Sequence, residues 1–271
     1  MNVKGFSSSS STRSAPFAHD KAGYFWRLNR SERNQHLIFA ICFLVLAVTG
    51  FMVQIPEDIV AKFGTTGEII FALRGILHRA AGSIMILVCL YHVGYLLFSK
   101  SGRRWLQDML PSIQDLKDMT ANLGYLIGLK KQAPEFDRFC YKHKLEYGAL
   151  IAGSFLMSAT GILLWTEYRW NKFILDIASL VHQMEAILAC LAIMIWHLYD
   201  IFLKPRKISI AGMWLTGKMP AGEMADEHSL HYRKIMNDPH LQDIYVVREN
   251  HPPAPARPAV KVSLDKISRI H

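Results

Sequence analysis

Residues 78–98 read His78-Arg-Ala-Ala-Gly82-Ser-Ile-Met-Ile-Leu-Val-Cys89-Leu-Tyr-His92-Val-Gly-Tyr-Leu-Leu-Phe98. From Ala80 to Phe98 there are 19 residues without a Lys, Arg, Asp or Glu. At 1.5 Å rise per residue they make a helix of about 28 Å, close to the apolar thickness of a bilayer. Three more segments of this kind occur. Leu37–Val53 and Tyr147–Trp165 are uncharged runs of 17 and 19 residues, and Ile177–Leu203 is interrupted only by Glu185 and Asp200. The repetition excludes buried helices of a soluble core and predicts an all-α, four-helix transmembrane bundle. Its spans are expected at about 34–55, 74–98, 145–165 and 179–203.

Composition agrees. The chain has 271 residues, 51% of them hydrophobic and 20% charged, and its mean hydropathy is +0.14. That is too apolar for an ordinary soluble domain and too aromatic for a disordered chain. The 31 Lys and Arg residues outweigh 22 Asp and Glu, and their distribution gives the excess its meaning. Residues 1–33 hold six, 99–144 nine and 204–271 eleven, whereas the two remaining loops hold two each. The bias of 26 against four predicts that both termini and the long middle loop are cytoplasmic. The basic excess thus reads as topology and affinity for anionic lipid rather than as nucleic-acid binding. The compartment expected is the bacterial inner membrane, with a multi-pass chain.

The remaining segments are short. Residues 1–20 carry the run Ser7–Ser11, lack an apolar core and read as a disordered leader rather than a signal peptide. Residues 21–235 form the membrane domain. Within the middle loop, Trp105, Leu106, Met109, Leu110, Ile113, Leu116 and Met119 recur at three and four residues and predict one amphipathic surface helix. The tail reads as one surface helix, then a flexible cytoplasmic end over 236–271 with a Pro-rich stretch. The four cysteines form no CxxC, which removes zinc-ribbon, thioredoxin-like and c-type haem readings.

Chemistry is expected at the histidines. His36 opens the first span, His78 and His92 bracket the second, and His182 and His197 bracket the fourth. Polar side chains at membrane depth are costly and read as functional. His78 and His92 are 14 residues apart, about 40° short of four turns; His182 and His197 are 15 apart, about 60° past four turns. Each pair therefore shares a helix face, with about 20 Å between its members. Two haems stacked across a bilayer, each with two axial imidazoles, need that spacing. A zinc or di-iron site needs ligands clustered at one level. Arg74 and Arg79 flank His78 and suit anionic propionates. Spacing alone pairs His197 with His92 in preference to His36. A proton- or metal-handling transporter, with Glu185 and Asp200 as relay groups, and an anchor without haem are the competing readings; neither broken half-helices nor missing histidines support them.

Taken together, Arg33-Asn-Gln-His36, Thr49-Gly50-Phe51, His78-Arg79-Ala-Ala-Gly82 with His92, Thr160-Gly161 before Leu164-Trp165, and His182 to Trp196-His197 resemble a family. It is the cytochrome b subunit of respiratory formate dehydrogenases, with relatives in nickel-iron hydrogenases and thiosulfate reductases. The resemblance covers about residues 25–235. It implies two b haems and electron transfer between a quinone or menaquinone and a separate Fe–S or multihaem cytochrome subunit. It implies His78 and His182 as outer ligands, His36 and His197 as inner ligands, and an inner quinone site within a residue of His143. His92 is additional to that pattern, and a third haem would require His143 as a sixth ligand. No substrate chemistry beyond quinone redox is expected of the chain itself.

Overall fold

The computed structural model describes residues 23–199 and 210–247. The leader, Asp200, the expected last residues of the fourth span and the end of the tail lie outside the described residues. Strand β1 (Tyr24–Trp26) is followed by helix α1 (Arg30–Phe51), which continues as a 3-10 turn to Gln54. Asn29 starts α1 by accepting from the Glu32 amide, while the Glu32 carboxylate accepts from the Asn29 amide, both at 2.9 Å. Short α2 (Glu57–Ala61) leads into α3 (Gly64–Phe98), a helix of 35 residues. The middle loop forms α4 (Lys100–Met109) and α5 (Ile113–Leu126). Two long helices follow, α6 (Tyr141–Trp165) and α7 (Lys172–Ala192), the latter extended by a π-helical turn over Ile193–His197.

Four segments are long and apolar enough to cross a membrane: Arg30–Gln54, Gly64–Phe98, Tyr141–Trp165 and Lys172–His197. Their large side chains stay exposed, Leu87 at 64% and Phe155 at 76%, which in a folded chain calls for an apolar solvent around them. Helices α1 and α3 pack as one hairpin and α6 and α7 as another. The second and fourth spans begin ten and seven residues before the positions expected at 74 and 179. Uncharged runs mark apolar length, whereas a helix continues until a cap ends it; here Glu68 and Arg74 are carried inside α3.

The single amphipathic helix expected in the middle loop is two helices. Pro111 separates them, because the residue before a proline is driven out of helical geometry, and Leu110 is extended (φ −62°, ψ 135°). Gly102 lets α4 fold back on α3: a Cβ there would lie 2.1 Å from the Tyr95 carbonyl oxygen.

The tail is more ordered than its composition suggests. Helix α8 (Ile210–Thr216), strand β2 (Lys218–Pro220), α9 (Ala221–Glu227), α10 (Ser229–Asn237) and α11 (Pro239–Tyr245) form a cap at the end of the bundle where α1 begins. Strand β2 pairs antiparallel with β1, setting Phe25 opposite Met219. Phe25, Met219, Ala221, Met224, Ile235 and Tyr245 make its core. The boundary expected at 235 therefore falls inside this unit: α11 packs Tyr245 into the core, and the Val247 amide donates to the Tyr24 carbonyl at 2.9 Å.

Candidate functional site

The histidines fall into two layers. Thr49 on α1, His78 on α3, Thr160 on α6 and His182 on α7 make the layer far from the cap. His36, His92, Tyr147 and His197 make the layer near it, 13 to 15 residues along each helix, or about 20 Å.

In the far layer the rings of His78 and His182 face each other with centroids 6.4 Å apart. Thr49 Oγ1 stands 2.8 Å from His78 Nδ1, and Thr160 Oγ1 stands 2.9 Å from His182 Nδ1. With Nδ1 engaged, each ring keeps Nε2 for another partner. Gly50 and Gly161 follow the two threonines, and a Cβ at either would sit 3.6 or 3.5 Å from the Cε1 of the neighbouring histidine. That is ordinary contact, so the imidazoles alone do not demand glycine. Arg74 donates to the Thr49 carbonyl at 3.4 Å and its Nε is buried without a partner among the described residues. Arg79 lies 6.0 Å from the centre of the Trp165 ring.

In the near layer His36 faces His197, centroids 6.3 Å apart. His92 has other partners. Its Nδ1 donates to Gln35 Oε1 at 2.8 Å and its Nε2 accepts from the Tyr147 hydroxyl at 2.9 Å. Trp105 sets its ring edge-on against both His92 and Tyr147. The pairing that spacing favours, His92 with His197, is thus not the juxtaposition observed. The π-turn removes the premise of the spacing argument: at about 4.4 residues per turn it takes back roughly 90° over five residues, so His197 does not keep the angle that a uniform helix would give it. Nothing in the sequence pattern marks that turn.

Spacing of 6.3–6.4 Å has a chemical meaning. A metal–imidazole bond is about 2.0–2.1 Å and a ring nitrogen lies roughly 1.1 Å from the ring centre, so two imidazoles on opposite sides of one metal have centroids about 6.3 Å apart. Among the described residues no three His, Cys, Asp or Glu side chains gather as a metal site. What the bundle offers is two pairs of imidazoles at that separation.

A family profile described as prokaryotic cytochrome b561 matches residues 27–215. The chain belongs to the prokaryotic cytochrome b561 family. It is a multi-pass membrane protein of that family, whose members bind haem b and transfer electrons. No curated protein matches the chain. The cytochrome b561 match begins at Arg27 and ends within α8, so it takes in all four spans and both histidine layers.

The residues fit such a cofactor. Both pairs hold two imidazoles at that separation, Nδ1 rather than Nε2 is engaged on His78 and His182, and the Arg74 Nε, without a hydrogen-bond partner among the described residues, lies beside the far pair.

His143, expected near a quinone, lies at the cap. The Cys140 amide donates to its Nδ1 at 3.4 Å, and its ring stacks on His228 at 5.9 Å. His228 donates from Nδ1 to the Asp137 carbonyl at 2.7 Å and accepts from Arg27 at 3.2 Å. Burial, with Arg27 close by, drives its pKa down to about 2, so it is neutral. Burial and the neighbouring Arg138 lower Arg27 itself to about 10. Neither Arg27 nor His228 stood out in the sequence. Glu185, a relay group only under the competing transporter reading, has its carboxylate against Gly153, where a Cβ would meet Oε1 at 2.5 Å.

Proposed function

We propose that this protein is a di-haem cytochrome b that carries electrons across a bacterial inner membrane, between the quinone pool and a separate Fe–S or multihaem redox subunit. The observation that carries this is the recurrence of one geometry: facing histidines with centroids 6.4 and 6.3 Å apart, one pair in each layer. His78 and His182 hold the outer haem, and His36 and His197 the inner one. Each haem, when bound, would supply a one-electron carrier. The chain's own residues do the rest. Helices α3 and α7 deliver the outer imidazoles, and α1 and α7 the inner ones. Gly50 and Gly161 leave backbone bare beside the ligating edges, the surface a flat macrocycle needs. Arg74 and Arg79 are the partners for the propionates.

The Lys and Arg distribution supports a cytoplasmic cap end, with both termini on that side. The resemblance to formate dehydrogenase cytochrome b subunits supports quinone exchange at the inner end. There His143, held between Cys140 and the stacked His228, is the group placed to take or give a proton. The engagement of both His92 nitrogens, with Gln35 and Tyr147, supports two haems rather than three.

The test is quinol-driven haem reduction in membranes of the His143→Ala variant. Both haems retained with reduction slowed about a hundredfold or more, the usual scale of a lost acid–base group, is the expected result. Unchanged kinetics would remove His143 from the site.

A further inference from the structure

Thr49 and Thr160 stand at equivalent places in the two hairpins, and each is almost fully buried, at 5% and 6% exposure. Each side chain bonds the preceding turn of its own helix: Thr49 Oγ1 lies 2.6 Å from the Val45 carbonyl oxygen, and Thr160 Oγ1 lies 2.8 Å from that of Leu156. A hydroxyl has one hydrogen and two lone pairs. Two oxygens 2.6–2.8 Å apart require a hydrogen between them, and a carbonyl has none to give, so each threonine spends its hydrogen on its own helix. Toward the imidazole each Oγ1 can only accept. His78 and His182 must therefore donate from Nδ1, which leaves Nε2 as the bare nitrogen in both rings.

We infer that Thr49 and Thr160 are paired positioning residues that fix the outer histidines in the tautomer with free Nε2 and set the electron affinity of the haem held there. This rests on the reading of His78 and His182 as ligands. The backbone bond makes each threonine a fixed acceptor: its oxygen cannot rotate its hydrogen toward the ring without giving up the carbonyl. An Nδ1–H that donates to a fixed acceptor makes the imidazole a more basic ligand, which favours the oxidised metal. The arrangement is present on both sides of the outer site. The inner pair lacks its equivalent at His36, for which the described residues give no threonine partner.

The test uses the full-length protein in membranes, with Thr49→Val and Thr160→Val singly and together, the two Ser variants, and His78→Ala as reference. Valine keeps the shape and removes the acceptor; serine restores it. The readout is the ratio of oxidised to reduced outer haem at fixed ambient potential, followed by optical titration. The expected result for each Val variant is a fall in that ratio of about threefold, equivalent to about 28 mV at 59 mV per tenfold for one electron. The double variant falls further, the inner haem titrates as before, and both Ser variants titrate as the parent does. Loss of the outer haem in a Val variant, restored by Ser, supports the inference equally. An unmoved outer titration in the double Val variant overturns it, as does a loss of haem that Ser does not restore. Should His78→Ala keep both haems, the ligand reading itself fails and this inference with it. Half the haem lost in His78→Ala beside unmoved Val variants overturns only the role of the threonines.

Discussion

His92 shares its layer with His36 and His197, yet its nitrogens face Gln35 and Tyr147. Gln35 is oriented in turn, since its amide nitrogen donates to Ser31 Oγ at 3.1 Å. That fixes Oε1 toward His92 and makes Nδ1 the donor, so Nε2 must take the tyrosine proton. A ring with both nitrogens spent has none for a metal. His36→Ala should therefore remove about half of the b haem, while His92→Phe should keep both haems in low-temperature spectra. Loss of haem in His92→Phe with none in His36→Ala would reverse the assignment. The sequence made both residues visible, because a histidine at or near membrane depth is conspicuous, and His92 also lies 14 residues from His78 on one face. It could not choose between them. The choice depends on partners from other helices, Gln35 from α1 and Tyr147 from α6, and on a π-turn that breaks the uniform 100° per residue behind the spacing argument.

The cap shows where local patterns stop informing. Its helices are short and its composition polar, so the segment past residue 235 reads as flexible. Its order comes from pairing with β1, almost 200 residues away in sequence, and such distant pairing leaves no local periodicity. The joint to the bundle is polar. Asp137 is held low by its bond to His231 together with Lys234, and Arg233 pairs with Glu135. His228 gives the joint a pH dependence with a definite sign. Above about pH 6.5 the ring is neutral whether the cap is folded or not. Below that, the unfolded chain takes up a proton and the folded cap, with His228 at about 2, does not. Stability is therefore present above 6.5 and lost as pH falls below it, by up to about 1.4 kcal/mol per pH unit. Hydrogen exchange over residues 213–247 should be clearly faster at pH 5 than at pH 7.5, and His228→Gln should shrink the difference to the part supplied by His231, which burial also holds low. Equal protection at both values would show that burial of His228 does not control the joint.

At the scale of the whole molecule the bundle is two hairpins, α1 with α3 and α6 with α7, that each bring a threonine, a glycine and a histidine to the far layer. The four spans were legible because a bilayer imposes length and apolarity on any helix that crosses it. Their ends were less so, since helices run past the apolar zone until a cap stops them. Helix α7 supplies one histidine to each layer, His182 and His197, so it carries half the proposed ligands of both haems. The most direct measurement is haem per chain in purified, membrane-extracted protein for His182→Ala, His197→Ala and the double variant. The account predicts two b haems in the parent, one in each single variant and none in the double variant. Undiminished b-type absorbance in a folded, membrane-inserted double variant would contradict it.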